Sequence, residues 1–416
     1  MHKAILYKAL LAALLMFGLN SCKNEAPKKT EVVIPKGISA IKVFLDNSES
    51  NIGYMRGATK FKAIITNFTA EINNPKLAAH SHFNLIADSI SPLNYSPEQF
   101  IDAVANSKIE PAKCSEMHKM VEMLTTNLDS FDIGILVSDC ILSYCDTKGN
   151  PNKNRDNAES EQKTYVKSIF KKLNTKGVCA SVYAFKSDFN GRYFTYNNKI
   201  QYYKNEVRPF YVWAIGRKEQ LMLFNAELLK TTRPDAQLHF GFDTEPKASF
   251  ALFFKTGKKG TCEINKDNIS DIVVKADKPV GFVMGINLDS LPPYAQTIEY
   301  VKKNLSIGFE YLKLKDVKLR KDFELLQTNN REKLFRENNT HFLYFEIEDL
   351  ITDTPVEITL DNKTDTWYED WSTMDDLTTE NNNEKTFALI HLINGVKEAY
   401  EVKHTSFLKV KLTLKQ

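Results

Sequence analysis

The run Asp132–Cys140, "DIGILVSDC", constrains the fold more than any other stretch. It is apolar from Ile133 to Val137 without alternation, so a strand there must be covered on both faces. Similar short runs recur on either side, separated by segments of helical period. "IKVFLD" precedes a helix over Thr59–Ile72, in which Phe61, Ile64, Ile65 and Phe68 form one stripe. "HFNLIA" precedes a helix opened by Ser96-Pro97-Glu98, with serine at the cap and proline just inside. Helices over Ser115–Asn127 and Ser160–Leu173 flank the central run. The strands "GVCASVYAF" and "PFYVWAIG" and a helix in "RKEQLMLFNAELLK" complete the series. This alternation predicts an α/β fold with a doubly wound, mostly parallel sheet over residues 38–232. Within it, "SDFNGRY" predicts a hairpin turning at Asn190-Gly191.

Beyond Arg233-Pro234 the pattern changes to short strands divided by Gly, Asn and Pro, among them "PVGFVMGINL", "PVEITLD" and "KTFALIHLINGV". Residues 233–416 are therefore expected to be β-sandwich-like, as one or two small sandwiches. At the other end, the basic start and the apolar stretch Ala9–Leu19 read as a signal peptide over residues 1–22, too short to span a bilayer. Leu19-Asn20-Ser21-Cys22 resembles the lipobox of bacterial lipoproteins. The resemblance implies lipidation of Cys22, a membrane anchor through that lipid and, with Lys23 following, an outer-membrane destination in the cell envelope. Residues 23–37, polar and rich in Lys and Pro, read as a flexible tether. The formal net charge is +3, and Lys3 and Lys8 leave with the leader. A near-neutral mature chain argues against nucleic acid as a partner.

"VFLDNSES" ends an apolar run on Asp46 and then places Ser48 and Ser50 at alternate positions. In α/β sheets ligands bind outside the carboxyl ends of the strands, where Asp46 and Asp139 both fall. Two carboxylates and several hydroxyls form an oxygen-only set suited to a hard divalent cation that keeps some of its waters. The competing reading is that Asp46 and Ser48 cap the next helix. The Asp-x-Ser-x-Ser spacing of Asp46, Ser48 and Ser50 resembles the signature of the von Willebrand factor A-like domain, whose metal-ion-dependent adhesion site begins with these residues. That resemblance covers residues 39–230. It implies a site completed by Ser115, where threonine is usual, and by Asp139, where Cys140 replaces the usual glycine. The implied ion is Mg²⁺, with Mn²⁺ or Ca²⁺ as alternatives, and the implied partner offers an acidic group from a protein or glycan. Cys114 and Cys140 each adjoin an implied ligand, so a disulfide from Cys114 to Cys140 or Cys145 stands as an alternative to small buried thiols.

Cys179, in an apolar strand, reads as core. "LDNKTDTWYEDWSTMDD" gathers acids around Trp367 and Trp371 without the glycine of a calcium loop, and reads first as a solvated loop, second as a sugar-stacking patch. No Gly-x-Ser-x-Gly, His-Glu-x-x-His, phosphate loop or Gly-x-Gly-x-x-Gly is present. His118 is the nearest histidine to the Asp46 loop and reads as a surface or packing residue. The sequence thus favours a lipid-anchored binding protein over two alternatives. One is a metal-dependent hydrolase using the same aspartates, and the other is a structural subunit with a vestigial site.

Overall fold

The computed structural model describes residues 37–113, 115–142, 155–195, 199–275, 278–326, 329–377 and 383–416. The leader, Cys22 and almost all of the tether lie outside these residues, as do Cys114, Cys145 and most of the polar loop 146–157.

Strands β1 (Ile38–Asp46), β2 (Ala78–Ile86), β3 (Ile90–Leu93), β4 (Ile133–Ser138), β5 (Val178–Phe194), β6 (Ile200–Arg217) and β7 (Ala236–Phe240) form one seven-stranded sheet. Its order is β3-β2-β1-β4-β6-β5-β7. The helices among these strands are α1 (Lys60–Ile72), α2 (Pro97–Ala105), α3 (Met117–Thr126), α4 (Arg155–Thr175) and α5 (Lys218–Thr231). Thr59 caps α1, and Ser96 with Gln99 forms a reciprocal capping box on α2.

The α/β class and the helices on both faces match the expectation, but the sheet is mixed rather than mostly parallel. β1 runs parallel to β2 and to β4, and the other pairings are antiparallel. The cause is local. β5 and β6 are the arms of one long hairpin, and a chain that reverses through a short turn can only pair antiparallel. The two arms come together at Thr195 and Lys199, where the Thr195 N–H donates to the Lys199 carbonyl at 3.0 Å. Asn190-Gly191, expected to be the turn, sits at a register shift within the ladder, a β-bulge.

Side chains alternate across the sheet. Val43, Leu45, Ile135 and Val137 pack with Phe61 of α1, Phe100 of α2 and Phe224 of α5. On the reverse face Phe44, Leu136, Trp213 and Ile215 pack with Met120 of α3 and Phe170 of α4. The central run is buried at every residue, as its lack of alternation requires.

In the second half, β8 (Phe250–Phe253), β9 (Thr261–Ile264), β10 (Asn268–Val273), β11 (Val280–Ile286), β12 (Leu305–Ile307), β13 (Leu312–Leu319), β14 (His341–Ile347) and β15 (Thr354–Asp361) follow. They are interrupted by helices α6 (Ile298–Asn304) and α7 (Asn330–Asn338). After α8 (Trp367–Asp370) and the two-residue strands β16 (Ser372–Thr373) and β17 (Thr386–Phe387) come α9 (Leu389–Ala399) and β18 (Ser406–Leu414). A five-stranded sheet, β12-β15-β18-β10-β9, and a four-stranded sheet, β13-β14-β11-β8, contribute to one hydrophobic cluster. Ile358, Leu360 and Val410 from the first meet Phe282, Met284 and Phe345 from the second.

The expected boundary at 232–233 does not divide the fold. β7 adds to the edge of the first sheet, and Trp367–Ala399 returns to its face, so residues 37–416 form one compact unit. "KTFALIHLINGV", expected to be a strand, is largely helix α9. Leu389, Leu392, Ile393 and Val396 fall three or four apart, and this stripe lies in the cluster around Phe170. α9 approaches α4 so closely that a Cβ on Gly395 would come within 2.8 Å of the Lys163 carbonyl oxygen. Gly395→Val should therefore lower stability by about 1–3 kcal/mol, the usual cost of overpacking. Urea unfolding should register this as a lower midpoint at unchanged slope; an unchanged midpoint would mean that the two helices are not held this tightly.

Candidate functional site

β1 and β4 are neighbours and parallel, with Leu45 opposite Val137, so Asp46 and Asp139 emerge at the same edge. Asp46 is fully buried, and a buried carboxylate must be hydrogen-bonded on its oxygens. Its Oδ1 accepts the Ser48 N–H at 2.9 Å, and its Oδ2 accepts from Ser138 Oγ at 2.7 Å and from Ser115 Oγ at 3.3 Å. One side chain thus ties together the turn after β1, the end of β4 and the segment leading into α3. Asn47 Nδ2 donates to the Glu110 carbonyl at 2.8 Å, and Ser48 bridges to Ala112, which holds the 110–115 segment against the turn. Ser48 Oγ and Ser50 Oγ stand 3.1 Å apart. All five residues of the expected set, Asp46, Ser48, Ser50, Ser115 and Asp139, are therefore gathered at one edge of the sheet.

Asp139 is held differently. Its Oδ1 accepts the Ile141 N–H at 3.2 Å, while its buried Oδ2 has no hydrogen-bond partner among the described residues. Burial, reinforced by the negative charge of Asp46, raises its carboxyl from 3.8 to about 7. The Ile141 N–H, the Arg208 guanidinium and the Ser50 hydroxyl pull the other way. Burial raises the Asp46 carboxyl too, against the hydrogen bonds it accepts.

Cys140 takes the conformation that glycine would favour, with φ of 55°. Its N–H donates to Ser138 Oγ at 3.0 Å, and its Sγ accepts from the Trp213 indole N–H at 3.3 Å. Cys140 is a buried free thiol in the structure, and burial pushes its pKa well up. The disulfide alternative is thus not formed at Cys140, while Cys114 and Cys145 lie outside the described residues. Cys179 is buried and free, consistent with core.

Several residues at this edge were not read from the sequence. Ser138 supplies the shortest bond to the Asp46 carboxylate, and Asn51 Nδ2 donates to the Asp46 backbone carbonyl. Arg208 is a buried cation within electrostatic reach of Asp139. Its guanidinium lies 4.1 Å from the Tyr193 ring centre, and it donates to the carbonyls of Asn383 and Lys385 at 3.3 Å each. The only hint was an arginine inside an aromatic strand, "EVRPFYVW". His118 stacks on Tyr165 with ring centres 5.2 Å apart and lies 3.5 Å from Glu116, as a packing residue would.

The donor set bears directly on whether a divalent cation suits this edge. No three His, Cys, Asp or Glu residues cluster to hold a metal among the described residues, so a cation here would rely on two carboxylates and serine hydroxyls. Those groups fit a hard ion. Ser115 donates its proton to Asp46, so its oxygen faces the same edge, and the Asp139 Oδ2 is a buried acceptor with no hydrogen bond among the described residues. No family model, curated protein or solved structure matches the chain.

The raised Asp139 carboxyl fixes a pH dependence. In the folded chain it keeps its proton to about pH 7, whereas unfolded it loses it near 3.8. Its contribution to stability is present below the unfolded value and lost as pH rises through the folded one. With chelator present, unfolding free energy should decline as pH rises between these values, and Asp139→Asn should make the decline shallower. Parallel pH profiles for the two proteins would show that Asp139 does not carry it.

Proposed function

We propose that this chain is a cell-envelope lipoprotein that captures a protein or glycan partner through a divalent-cation site on a von Willebrand A-like domain, followed by a β-sandwich. The observation that carries the reading is the meeting of Asp46, Ser48, Ser50, Ser115 and Asp139 at the carboxyl edge of β1 and β4, with one buried carboxylate oxygen left unshared. The sequence order of these residues and the flanking of the sheet by helices on both faces support it further. So do the two facing sheets of the second half, which share one hydrophobic cluster. The Cys22 lipobox supports the anchor. No helix among the described residues is long and apolar enough to cross a membrane.

In this reading Asp46 and Asp139 contribute the negative charge, and Ser48, Ser50 and Ser115 contribute neutral oxygens. A bound cation with so few charged ligands supplies an electrophilic position for a partner's carboxylate. Asp46 orients Ser115 by accepting its proton, and Ser138 fixes the Asp46 carboxylate in turn. Arg208 lies behind Asp139 and opposes a second positive charge there, which favours modest affinity for the ion.

Thermal unfolding of the purified chain in chelator, then in Mg²⁺, Mn²⁺ or Ca²⁺, tests the site. Binding to the native state alone should stabilise by about 2.7 kcal/mol at a hundredfold excess over the dissociation constant. Asp46→Ala should abolish that gain. If a folded parent gains nothing from any of the three ions, the cation reading fails and the Asp46 network is a structural tie.

A further inference from the structure

A concave region lies along the sheet from the Asp46 edge, where β7 meets the second half of the chain. Two cavities of about 450 and about 470 Å³ adjoin there and share His239, Tyr294, Asn362 and Thr364 in their walls. Each is within the roughly 300–1,000 Å³ typical of small-molecule sites.

A buried hydrogen-bond relay ends at this place. Tyr183 OH donates to Asn225 Oδ1 at 2.6 Å, and Asn225 Nδ2 donates to Ser181 Oγ at 2.8 Å. Gln237 Oε1 can only accept, which puts the ring proton on His239 Nε2 and leaves Nδ1, 2.8 Å from Ser181 Oγ, to accept the Ser181 proton. His239 then donates from Nε2 to Gln237 Oε1, at 3.1 Å. Burial keeps His239 neutral, with its pKa lowered to about 3, which this proton order requires. With its oxygen turned to His239, the Gln237 amide keeps its NH₂ as a donor at the cavity wall. Beside it, the Tyr294 ring lies flat on His239, with centres 4.2 Å apart and planes 3° from parallel. The Tyr294 hydroxyl has no hydrogen-bond partner among the described residues.

Much of the charge on the walls is already paired. Lys303 is 3.1 Å from Asp365, Lys363 is 3.1 Å from Asp361, and His404 is 3.2 Å from Asp243. Nothing here forms a cationic cluster that would hold phosphate or carboxylate. An aromatic ring, an oriented amide donor and hydroxyl side chains in a wall of balanced charge suit a neutral ligand dense in hydroxyl groups. We propose that these two cavities form a binding site for a neutral oligosaccharide, independent of the Asp46–Asp139 edge. Trp367 is not its platform: it lines neither cavity, and its indole N–H donates to the Gln237 carbonyl at 3.1 Å. The acid-rich stretch contributes through Asn362 and Thr364 instead.

Ligand-observed NMR of the purified chain with maltotriose, cellotriose, chitotriose and mannotriose, beside inorganic phosphate, tests this. At least one trisaccharide should bind and phosphate should not. Gln237→Glu keeps the acceptor for His239 and removes the donor, so it should weaken binding by roughly tenfold, the scale of one hydrogen bond. Thr364→Trp, which fills the shared wall, should abolish binding, and a chelator should leave binding to the parent unchanged. Silence from all four sugars, a phosphate signal in their place, or sugar binding that survives both cavity substitutions would overturn the proposal. Loss of sugar binding in chelator would do so as well, by moving the ligand to the other edge.

Discussion

A carboxylate with no access to water needs hydrogen-bond donors on its oxygens, and Asp46 meets that need from three separate parts of the chain. The Ser48 amide comes from its own turn, Ser138 from the neighbouring strand and Ser115 from the approach to α3. Among the described residues no other side chain at this edge joins all three. The parallel pairing of β1 with β4 makes the arrangement achievable, since it brings both strand ends to one side. Ser138 is the pivot, because the same hydroxyl that donates to Asp46 accepts the Cys140 N–H and so shapes the loop that carries Asp139. The left-handed backbone at Cys140 is sustained by a well-filled pocket, in which the Trp213 N–H meets its sulfur.

The legible part of the fold was the part with a strong period. The central run declared a doubly covered strand by lacking alternation, and Thr59 and Ser96 declared helix starts by their capping chemistry. Where the sequence misled, two structures shared one local pattern. "KTFALIHLINGV" is apolar enough for a strand, and only the spacing of Leu389, Leu392, Ile393 and Val396 distinguishes the helix that α4 requires. The long hairpin hid its turn, because a bulge at Asn190-Gly191 uses the same small and amide residues as a reversal. Parallel against antiparallel pairing had no local signature at all.

The site was legible in proportion to how local it was. Asp46, Ser48 and Ser50 lie on one short turn, and their spacing alone suggested a shared task. Ser138 and Arg208 have no such neighbours in sequence, and their roles follow only from the strand order β1-β4-β6. The Gln237–His239 relay was equally silent. It links residues of β5, α5 and β7, and in the sequence each reads as an ordinary strand or helix position.

The return of α9 to the first sheet has a consequence for how the chain reaches this state. The reverse face, with Phe44, Leu136 and Trp213, is formed by residues made well before Leu389 to Ala399, which supply part of its cover. During synthesis that face stays open, and the sheet's burial waits on the closing of a very long loop. The first sheet cannot be completed on its own residues, and its exposure to aggregation is greatest in the interval before Leu389 to Ala399 arrive.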